Sequence, residues 1–261
     1  MANRPLGIID SGLGGLSILK AITSKLKKEN IIYLADHKYC PFGDKTTKEI
    51  NQRLSLIMKF LLKKNCKAVV IACNTVTTSS IKFLRSIYPT MHFIGTVPAI
   101  KPAIEKNLKH NIIVLATHKT INSNYHQQMV DSLDKKGKVV GLACPGLVEA
   151  IETGNKQKIT LKLKKILKKI QDSYSALVLG CTHYILIKDL IKKLAAPSTI
   201  IIEPSKAIAN QTKKILGDNN LLSNIPSRDG MLLLTTGDPK KVSQVASKLL
   251  KNSIIFDKCS I

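Results

Sequence analysis

Short runs of apolar residues recur along the chain, and each is followed by a turn and then by a stretch with helical spacing of apolar positions. Short apolar runs bounded by turn residues predict buried strands, whereas apolar positions three and four apart predict amphipathic helices. Strands that alternate with helices favour an α/β fold with mainly parallel sheets. The predicted strands span residues 6–10, 31–35, 68–72, 92–95, 112–116, 138–142, 176–180, 199–202 and 231–235.

Two of the predicted strands carry an internal repeat. AVVIACNT at 68–75 aligns with ALVLGCTH at 176–183, which places Cys73 over Cys181. Both runs are apolar throughout the strand, as expected for central strands covered by helices on both faces. A single cysteine after a buried strand is usually a small core residue, but a matched pair favours a functional site. Because ligands bind beyond the carboxyl ends of parallel strands, two facing halves would place one cysteine on each wall of a cleft.

Polar residues follow three of the strands, in the clusters DSGLGG at 10–15, CNT at 73–75 and CTH at 181–183. A helix N-terminus offers free N–H groups and partial positive charge, which suit a carboxylate ligand and lower the pKa of a thiol. For Ser11 and Thr75, simple capping of the following helix is an equal alternative. The glycines fit neither a dinucleotide fingerprint nor a P-loop, and we expect them to let the backbone approach a small ligand.

These residue types permit two kinds of thiol chemistry. Cys181 with His183 two positions later would suit a thiol hydrolase, with the imidazole as general base. That interpretation leaves Cys73 without a role. Thiols on opposite walls fit instead a reaction in which one removes a proton from one face of a carbon and the other returns a proton to the opposite face. Asp10 and His183 are then the expected partners of Cys73 and Cys181.

Length and charge allow a second class of function. At 261 residues, 44% of them hydrophobic, the chain is long enough for one large α/β domain or two smaller ones, and two are expected. The excess of 41 Lys and Arg over 17 Asp and Glu, a formal charge of +24, raises the alternative of a basic, non-catalytic protein associated with nucleic acid. The densest lysines, at 156–169, alternate with Ile159, Leu163 and Ile166, which indicates a core helix with a solvated basic face. With 4% aromatic residues and no Trp, a base-stacking surface is not expected, and nucleic acid is not the expected partner.

The six cysteines lack a Cys-x-x-Cys pair, so we expect free thiols and no metal site. The N-terminal stretch has no export signal and no apolar run reaches membrane-spanning length, which favours a cytoplasmic protein without a membrane partner. Four cysteines have no matching constellation and are interpreted as structural or incidental: Cys40, Cys66, Cys144 and Cys259. Five histidines fit no ligand spacing: His37, His92, His110, His118 and His126.

Seven stretches together resemble the aspartate/glutamate racemase superfamily along nearly the whole chain. They are GIIDSGLGG (7–15), YLADHKYCPFGDK (33–45), ACNTVT (72–77), GTVPAIKPA (95–103), VLATHKT (114–120), ACPGLVEAIE (143–152) and LGCTHY (179–184). No single stretch is specific, but the set is.

The resemblance implies two similar α/β domains that face each other across the active site, 1–97 with 207–261 and 98–206. It implies that the small-molecule substrate is glutamate, that its L and D forms are interconverted without pyridoxal phosphate, metal or other cofactor, and that D-glutamate is supplied for peptidoglycan synthesis. A homodimer is an open alternative to a monomer.

The resemblance also carries residue roles over to this sequence. Cys73 and Cys181 become the two acid/base catalysts, with Cys73 deprotonating the D enantiomer and Cys181 the L enantiomer. The implied assisting groups are Asp10, Glu152 and His183. The implied substrate contacts are Asp10, Ser11, Phe42, Gly43, Asn74, Thr75, Thr117, Thr182 and His183. For Glu152 an alternative stays open, because a carboxylate at the end of a loop before the lysine-rich helix would favour the N-terminal end of that helix.

Three positions depart from the family pattern. Phe42 stands where the family commonly has Tyr, Val76 where it commonly has Ala, and Ile185 where Pro commonly follows His-Tyr. Phe42 removes a hydroxyl group, although the backbone of that turn can still bind a ligand. None of the three removes a catalytic group, so they bear on affinity and substrate preference. A racemase for aspartate or another acidic amino acid is the alternative within the same chemistry.

If the excess of lysine is a property of solvated surfaces, DNA binding will be weak and will vanish as salt is added, because counterion release dominates such contacts. Titration of a labelled duplex at physiological salt measures this. Sequence-selective binding that resists salt would instead support the nucleic-acid interpretation.

Overall fold

The protein is described by a computed structural model that covers residues 2–106, 108–170, 174–226 and 230–261. The strands of these residues are β1 (Leu6–Asp10), β2 (Ile31–Ala35), β3 (Ala68–Ile71), β4 (His92–Gly95), β5 (Asn111–Ala116), β6 (Val139–Ala143), β7 (Tyr174–Leu179), β8 (Ile200–Ile202), β9 (Met231–Thr235) and β10 (Asp257–Lys258). The helices are α1 (Leu16–Lys25), α2 (Thr47–Lys63), α3 (Asn74–Ile87), α4 (Ile100–Ile104), α5 (His118–Ile121), α6 (Asn124–Leu133), α7 (Leu147–Glu152), α8 (Lys156–Leu167), α9 (Thr182–Leu186), α10 (Lys188–Leu194), α11 (Ser205–Asp218) and α12 (Pro239–Leu250). Short 3-10 turns at His37–Tyr39 and Phe42–Asp44 follow β2.

The strands form two parallel sheets. The first has the order β10-β9-β2-β1-β3-β4 and the second the order β6-β5-β7-β8. The repeated strands β3 and β7 both have neighbours on two sides, β1 and β4 in one sheet, β5 and β8 in the other. The two halves of the repeat are therefore structurally equivalent, and their predicted central position is confirmed.

Both sheets are covered on both faces, which explains the unbroken apolar runs. Successive residues of a strand point to opposite faces. In β1, Ile8 packs into a core with α1 and α11, whereas Ile9 packs into a second core with α2 and α3. In β5, Ile113 and Val114 likewise enter two different cores. A strand buried in this way needs apolar side chains at every position.

The predicted α/β architecture is confirmed, and every predicted strand is present with ends within two residues of the prediction. The additional strand β10 consists of Asp257 and Lys258, which are exposed and carry no apolar pattern. The first sheet draws on residues 6–95 and 231–258 and the second on residues 111–202. The domain limits 1–97 with 207–261 and 98–206 stay a prediction.

The lysine-rich helix α8 has the arrangement that its pattern predicts. Ile159, Leu163 and Ile166 are buried, and the lysines of 156–169 are exposed. None of the helices in the described part of the chain combines the length and the apolar character that a membrane crossing requires. All six cysteines are free, as expected.

A buried ion pair fixes α2 to the end of the first sheet. Arg53 donates from Nε and Nη2 to the two carboxylate oxygens of Asp36, at 2.8 Å each, and from Nη1 to the carbonyl oxygen of Ile261 at 2.9 Å. Thr236 donates its hydroxyl to the same carboxylate at 2.8 Å. Asp36 and Arg53 are almost completely buried, so each charge depends on the other for its compensation.

Arg53→Met is therefore expected to lower the free energy of unfolding by about 3–5 kcal/mol, because it leaves the buried Asp36 carboxylate without its cation. Urea denaturation measures the loss. The matched control is Lys101→Met, which removes the cation of the exposed Lys101–Glu105 pair and should cost less than about 0.5 kcal/mol. Equal losses in the two variants would contradict the importance of the buried pair.

Candidate active site

The carboxyl ends of β1 and β3 face those of β5 and β7 across a cleft between the two sheets. Several contacts join the walls, and two of them are made by threonine hydroxyls. The Thr182 hydroxyl donates to Asp10 Oδ2 at 3.1 Å, and the hydroxyl oxygens of Thr75 and Thr117 lie 3.0 Å apart. The polar clusters that follow three separate strands in the sequence therefore meet in one place.

Cys73 follows β3 at the N-cap position of α3, with 7% of its surface exposed. Burial raises the pKa of the Cys73 thiol to about 12. The negative charge of Asp10 acts in the same direction, a hydrogen bond from the main-chain N–H of Val76 opposes it, and charge on Cys181 again raises the pKa. At neutral pH Cys73 is therefore a thiol, and its proton is held more firmly when Cys181 is a thiolate.

Cys181 takes the equivalent place after β7, at the N-cap position of α9, and is also 7% exposed. Its Sγ lies 3.9 Å from Nδ1 of His183. Burial lowers the pKa of His183, but hydrogen bonds to Cys181, Cys40 and Glu152, together with the charge of Glu152, outweigh burial and raise the pKa well above its ordinary value. At neutral pH an imidazolium therefore stands beside the Cys181 sulfur.

Glu152 is the last residue of α7, and the expectation that it ends a loop is wrong. The N-cap position of the lysine-rich helix α8 belongs to Asn155, which accepts from Lys158 N–H. Glu152 Oε1 lies 2.6 Å from His183 Nε2 and accepts from the main-chain N–H of Leu13 at 2.7 Å. The carboxylate therefore belongs to the cleft and links its two walls.

The charge of Glu152 is well compensated. Burial acts to raise the pKa of this carboxyl, but hydrogen bonds from His183 and His37 and the charges of both imidazoles hold the pKa well below its usual range. Glu152 is therefore a carboxylate at neutral pH, paired with the imidazolium of His183.

Asp10 ends β1 and is 2% exposed. Its Oδ1 accepts from the N–H of Gly12 at 2.9 Å, and its Oδ2 accepts from the Thr182 hydroxyl. Burial raises the pKa of Asp10, and the opposing charge of His183 lowers it. The expectation that Asp10 stands near Cys73 agrees with the electrostatic effect that Asp10 has on that thiol.

Asn74 is a buried polar residue of the cleft. It is 2% exposed, and neither its amide nitrogen nor its amide oxygen has a hydrogen-bond partner among the described residues. A buried amide without partners costs about 1–3 kcal/mol. Asn74 is thus prepared to donate to one group of a ligand and to accept from another.

The remaining implied substrate contacts line the same region. Ser11 and Thr75 are buried, and neither caps a helix, because Gly15 and Cys73 hold the N-cap positions of α1 and α3. Gly43 lies against Thr117 so closely that an added Cβ would come within 3.2 Å of the Thr117 Cβ.

The three departures from the family pattern occupy packed positions. Phe42 and Val76 are buried in the same apolar core as Cys73. Ile185 is partly buried and packs against a core of the first sheet and a core of the second. Phe42 thus belongs to the same apolar core as Cys73, and its substrate contact stays a prediction.

Two residues of the cleft were not predicted from the sequence. His37 Nε2 lies 3.1 Å from Glu152 Oε2, and His37 Nδ1 lies 2.9 Å from the Thr235 hydroxyl. Ligand atoms of Cys40, Glu152 and His183 all lie within 4.8 Å of one another. The sequence thus did not indicate that His37 and Cys40 lie beside Glu152. No spacing signals it, because Glu152 ends a helix of the other half of the chain.

Comparisons with known proteins point to one family. The sequence model of the Asp/Glu/hydantoin racemase family matches residues 6–212. The chain is 37% identical to the glutamate racemase of Clostridium perfringens over 254 residues, which covers 96% of this chain and 98% of that protein.

Two solved structures are similar over almost their whole length. The glutamate racemase of Francisella tularensis in complex with D-glutamate superposes with a TM-score of 0.86 at 30% identity, covering 100% of this chain and 98% of that one. The Escherichia coli glutamate racemase in complex with L-glutamate and the activator UDP-MurNAc-Ala also gives a TM-score of 0.86, at 25% identity and 98% coverage of both chains. The chain therefore belongs to the Asp/Glu/hydantoin racemase family.

Proposed function

We propose that this racemase interconverts L- and D-glutamate by a two-base mechanism in which Cys73 and Cys181 act on opposite faces of the α-carbon. The observation that carries the proposal is the placement of both thiols at equivalent strand ends on the two walls of one cleft. Glutamate as substrate is supported by the names of the relatives and by the D- and L-glutamate bound to two of the similar structures.

The reaction balances with the two cysteines alone. A thiolate removes the proton from the α-carbon, the carbanion is planar at that carbon, and the opposite thiol delivers its proton to the other face. The product leaves with the protonation states of the two sulfurs exchanged. Proton transfer with solvent then restores the starting form, so no redox or group-transfer step is involved.

The different surroundings of the two sulfurs support a proposal for which cysteine acts first on each enantiomer. Cys73 is a buried thiol, and the imidazolium of His183 stands beside Cys181 and would stabilise a thiolate there. Cys181 is then the base toward L-glutamate and Cys73 the acid that completes D-glutamate. In the reverse direction Cys73 is the base, and we expect Asp10 to assist it.

Asn74 supplies recognition at the α-carbon in this proposal. Its free amide N–H groups suit the α-carboxylate and its free oxygen suits the α-ammonium. The hydroxyls of Ser11, Thr75, Thr117 and Thr182 add donors around the same point. Binding a carboxylate that forms an enolate-like charge in the transition state lowers the barrier to proton removal.

The proposal includes a place in metabolism. D-glutamate formed by this enzyme would be consumed in peptidoglycan synthesis. The reaction is expected to need no pyridoxal phosphate and no metal, since the proposed acid and base are both side chains of the protein.

The loop after β1 brings the first wall against His183. A Cβ added to Gly14 would lie 2.5 Å from His183 Nδ1, 2.6 Å from the His183 main-chain nitrogen and 2.7 Å from Thr182 Oγ1. Real Cβ atoms do not approach other atoms so closely, and one of the three contacts is with backbone. The glycines of the stretch 10–15 were predicted to let a small ligand approach the backbone. At Gly14 the atoms that approach belong instead to Thr182 and His183 of the opposite wall.

Gly14→Ala is therefore expected to lower kcat/KM for both enantiomers by at least about 100-fold, because a displacement of His183 by an ångström misplaces the acid/base groups. Racemisation is followed by circular dichroism. The control is Gly217→Ala within α11, where the nearest atom to an added Cβ is Leu222 Cδ1 at 3.5 Å. Unchanged turnover in Gly14→Ala would show that the two walls do not need this close contact.

Cys73→Ala and Cys181→Ala are each expected to reduce racemisation in both directions by at least about 1,000-fold, since the donor in one direction is the base in the other. In D₂O the remaining thiol can still exchange the α-hydrogen on its own face. Cys73→Ala should therefore label only L-glutamate, and Cys181→Ala only D-glutamate, without inversion. Proton NMR of the α-position together with circular dichroism separates exchange from inversion.

The matched control is Cys259→Ala, which removes a buried thiol of the first sheet's core and should leave the rate unchanged. Near-normal racemisation by either cleft variant would refute the two-base assignment. Parallel assays with L- and D-aspartate, without added cofactor, distinguish a glutamate racemase from one that prefers aspartate.

A further inference from the structure

We propose that the cleft contains a binding site for a zinc-like divalent cation, formed by Cys40, Glu152 and His183, and that the bound cation inhibits the enzyme. The three side chains come from three segments, the stretch after the first 3-10 turn, the end of α7 and the start of α9. Their ligand atoms lie within 4.8 Å of one another. A thiolate, a carboxylate and an imidazole are the donor types that zinc selects.

Only small movements of the three side chains are needed to form a tetrahedral metal site. Donor atoms of a tetrahedral zinc site are roughly 3.3–3.6 Å apart, as follows from metal–ligand bonds of about 2.0–2.3 Å. His183 Nε2 and Glu152 Oε1 are 2.6 Å apart, so this pair would open by about an ångström or less to admit the ion. Cys40 Sγ lies no more than 4.8 Å from the other two donor atoms, so any approach that it needs is about an ångström.

The charges of the donor set suit a dication. A metal-bound cysteine is a thiolate and a metal-bound histidine is neutral, so binding of the ion is accompanied by release of protons. A cluster of thiolate, carboxylate, neutral imidazole and dication has no net charge, so burial between the two walls does not oppose it.

Glu152 is already oriented by other groups. His37 Nε2 lies 3.1 Å from Oε2, and the N–H of Leu13 donates to Oε1. Hydrogen bonds of this kind fix a metal-binding carboxylate and typically contribute 10–100-fold to metal affinity. With three protein ligands, the fourth position of the ion is left for water or for a carboxylate of the substrate.

Inhibition, unlike binding, rests on the proposed function. A metal ion on His183 and Glu152 would remove the imidazolium beside Cys181 and would occupy the space between the two walls. Binding can be tested without reference to turnover, so failure of the one proposal is distinguishable from failure of the other.

The experiment uses Co²⁺ as a spectroscopic probe and Zn²⁺ as the competitor. Addition of Co²⁺ to the full-length protein should give the ultraviolet absorption of a cobalt–thiolate bond, with release of protons to a weakly buffered solution. Zn²⁺ should abolish the absorption, and EDTA should restore the metal-free spectrum and the metal-free rate of racemisation.

Cys40→Ala should remove the cobalt–thiolate absorption, weaken Zn²⁺ binding by about 100-fold or more, because a ligand contributes at least as much as its hydrogen-bond partner, and relieve Zn²⁺ inhibition. Each variant's inhibition is measured against its own metal-free rate. Cys259→Ala is the matched control and should retain both the absorption and the inhibition. A cobalt–thiolate absorption that persists in Cys40→Ala but disappears in Cys73→Ala or Cys181→Ala would overturn the site, as would the lack of any such absorption in the unmodified protein.

Discussion

The carboxylate of Glu152 holds the two walls of the cleft together. It accepts from Leu13 N–H and contacts His37 on the side of the first sheet, and it pairs with His183 on its own side. A buried carboxylate is costly unless it is paired and hydrogen-bonded. Because part of its compensation comes from each wall, the charge state of His183 and the closeness of the walls depend on each other. The acid/base environment of Cys181 is thus a property of the closed cleft and not of one domain.

The sequence predicts what local physics determines. Strands such as 68–72 and 176–180 are evident because a strand buried on both faces must be apolar at every position. The location of Cys73 and Cys181 follows, since both directly succeed such strands in an α/β pattern. The short strand β10 leaves no such trace, because its two residues are exposed and pair with the sheet through backbone groups alone.

The contacts across the cleft depend on how one sheet docks against the other, and no local pattern encodes that. His37 and Cys40 have no distinctive spacing, yet both lie beside Glu152. The glycines are a related case. Their pattern indicates close approach, but not that the approaching atoms are those of Glu152 and His183. The sequence did not distinguish the helix that ends at Glu152 from a loop, because α7 has only six residues.

The repeat gives the two sulfurs the same position on the backbone but different neighbours, Asp10 and Val76 N–H for Cys73, His183 for Cys181. Enantiomers have equal free energies in water, so a racemase cannot change their equilibrium ratio, however unequal its walls are. The values of kcat/KM for the two enantiomers must therefore be equal. If the enzyme has a lower KM for one enantiomer, its kcat for that enantiomer must be lower in the same proportion. The asymmetry of the cleft thus sets the concentration at which each enantiomer saturates the enzyme, and it leaves the direction of net flux to the supply and removal of the two forms.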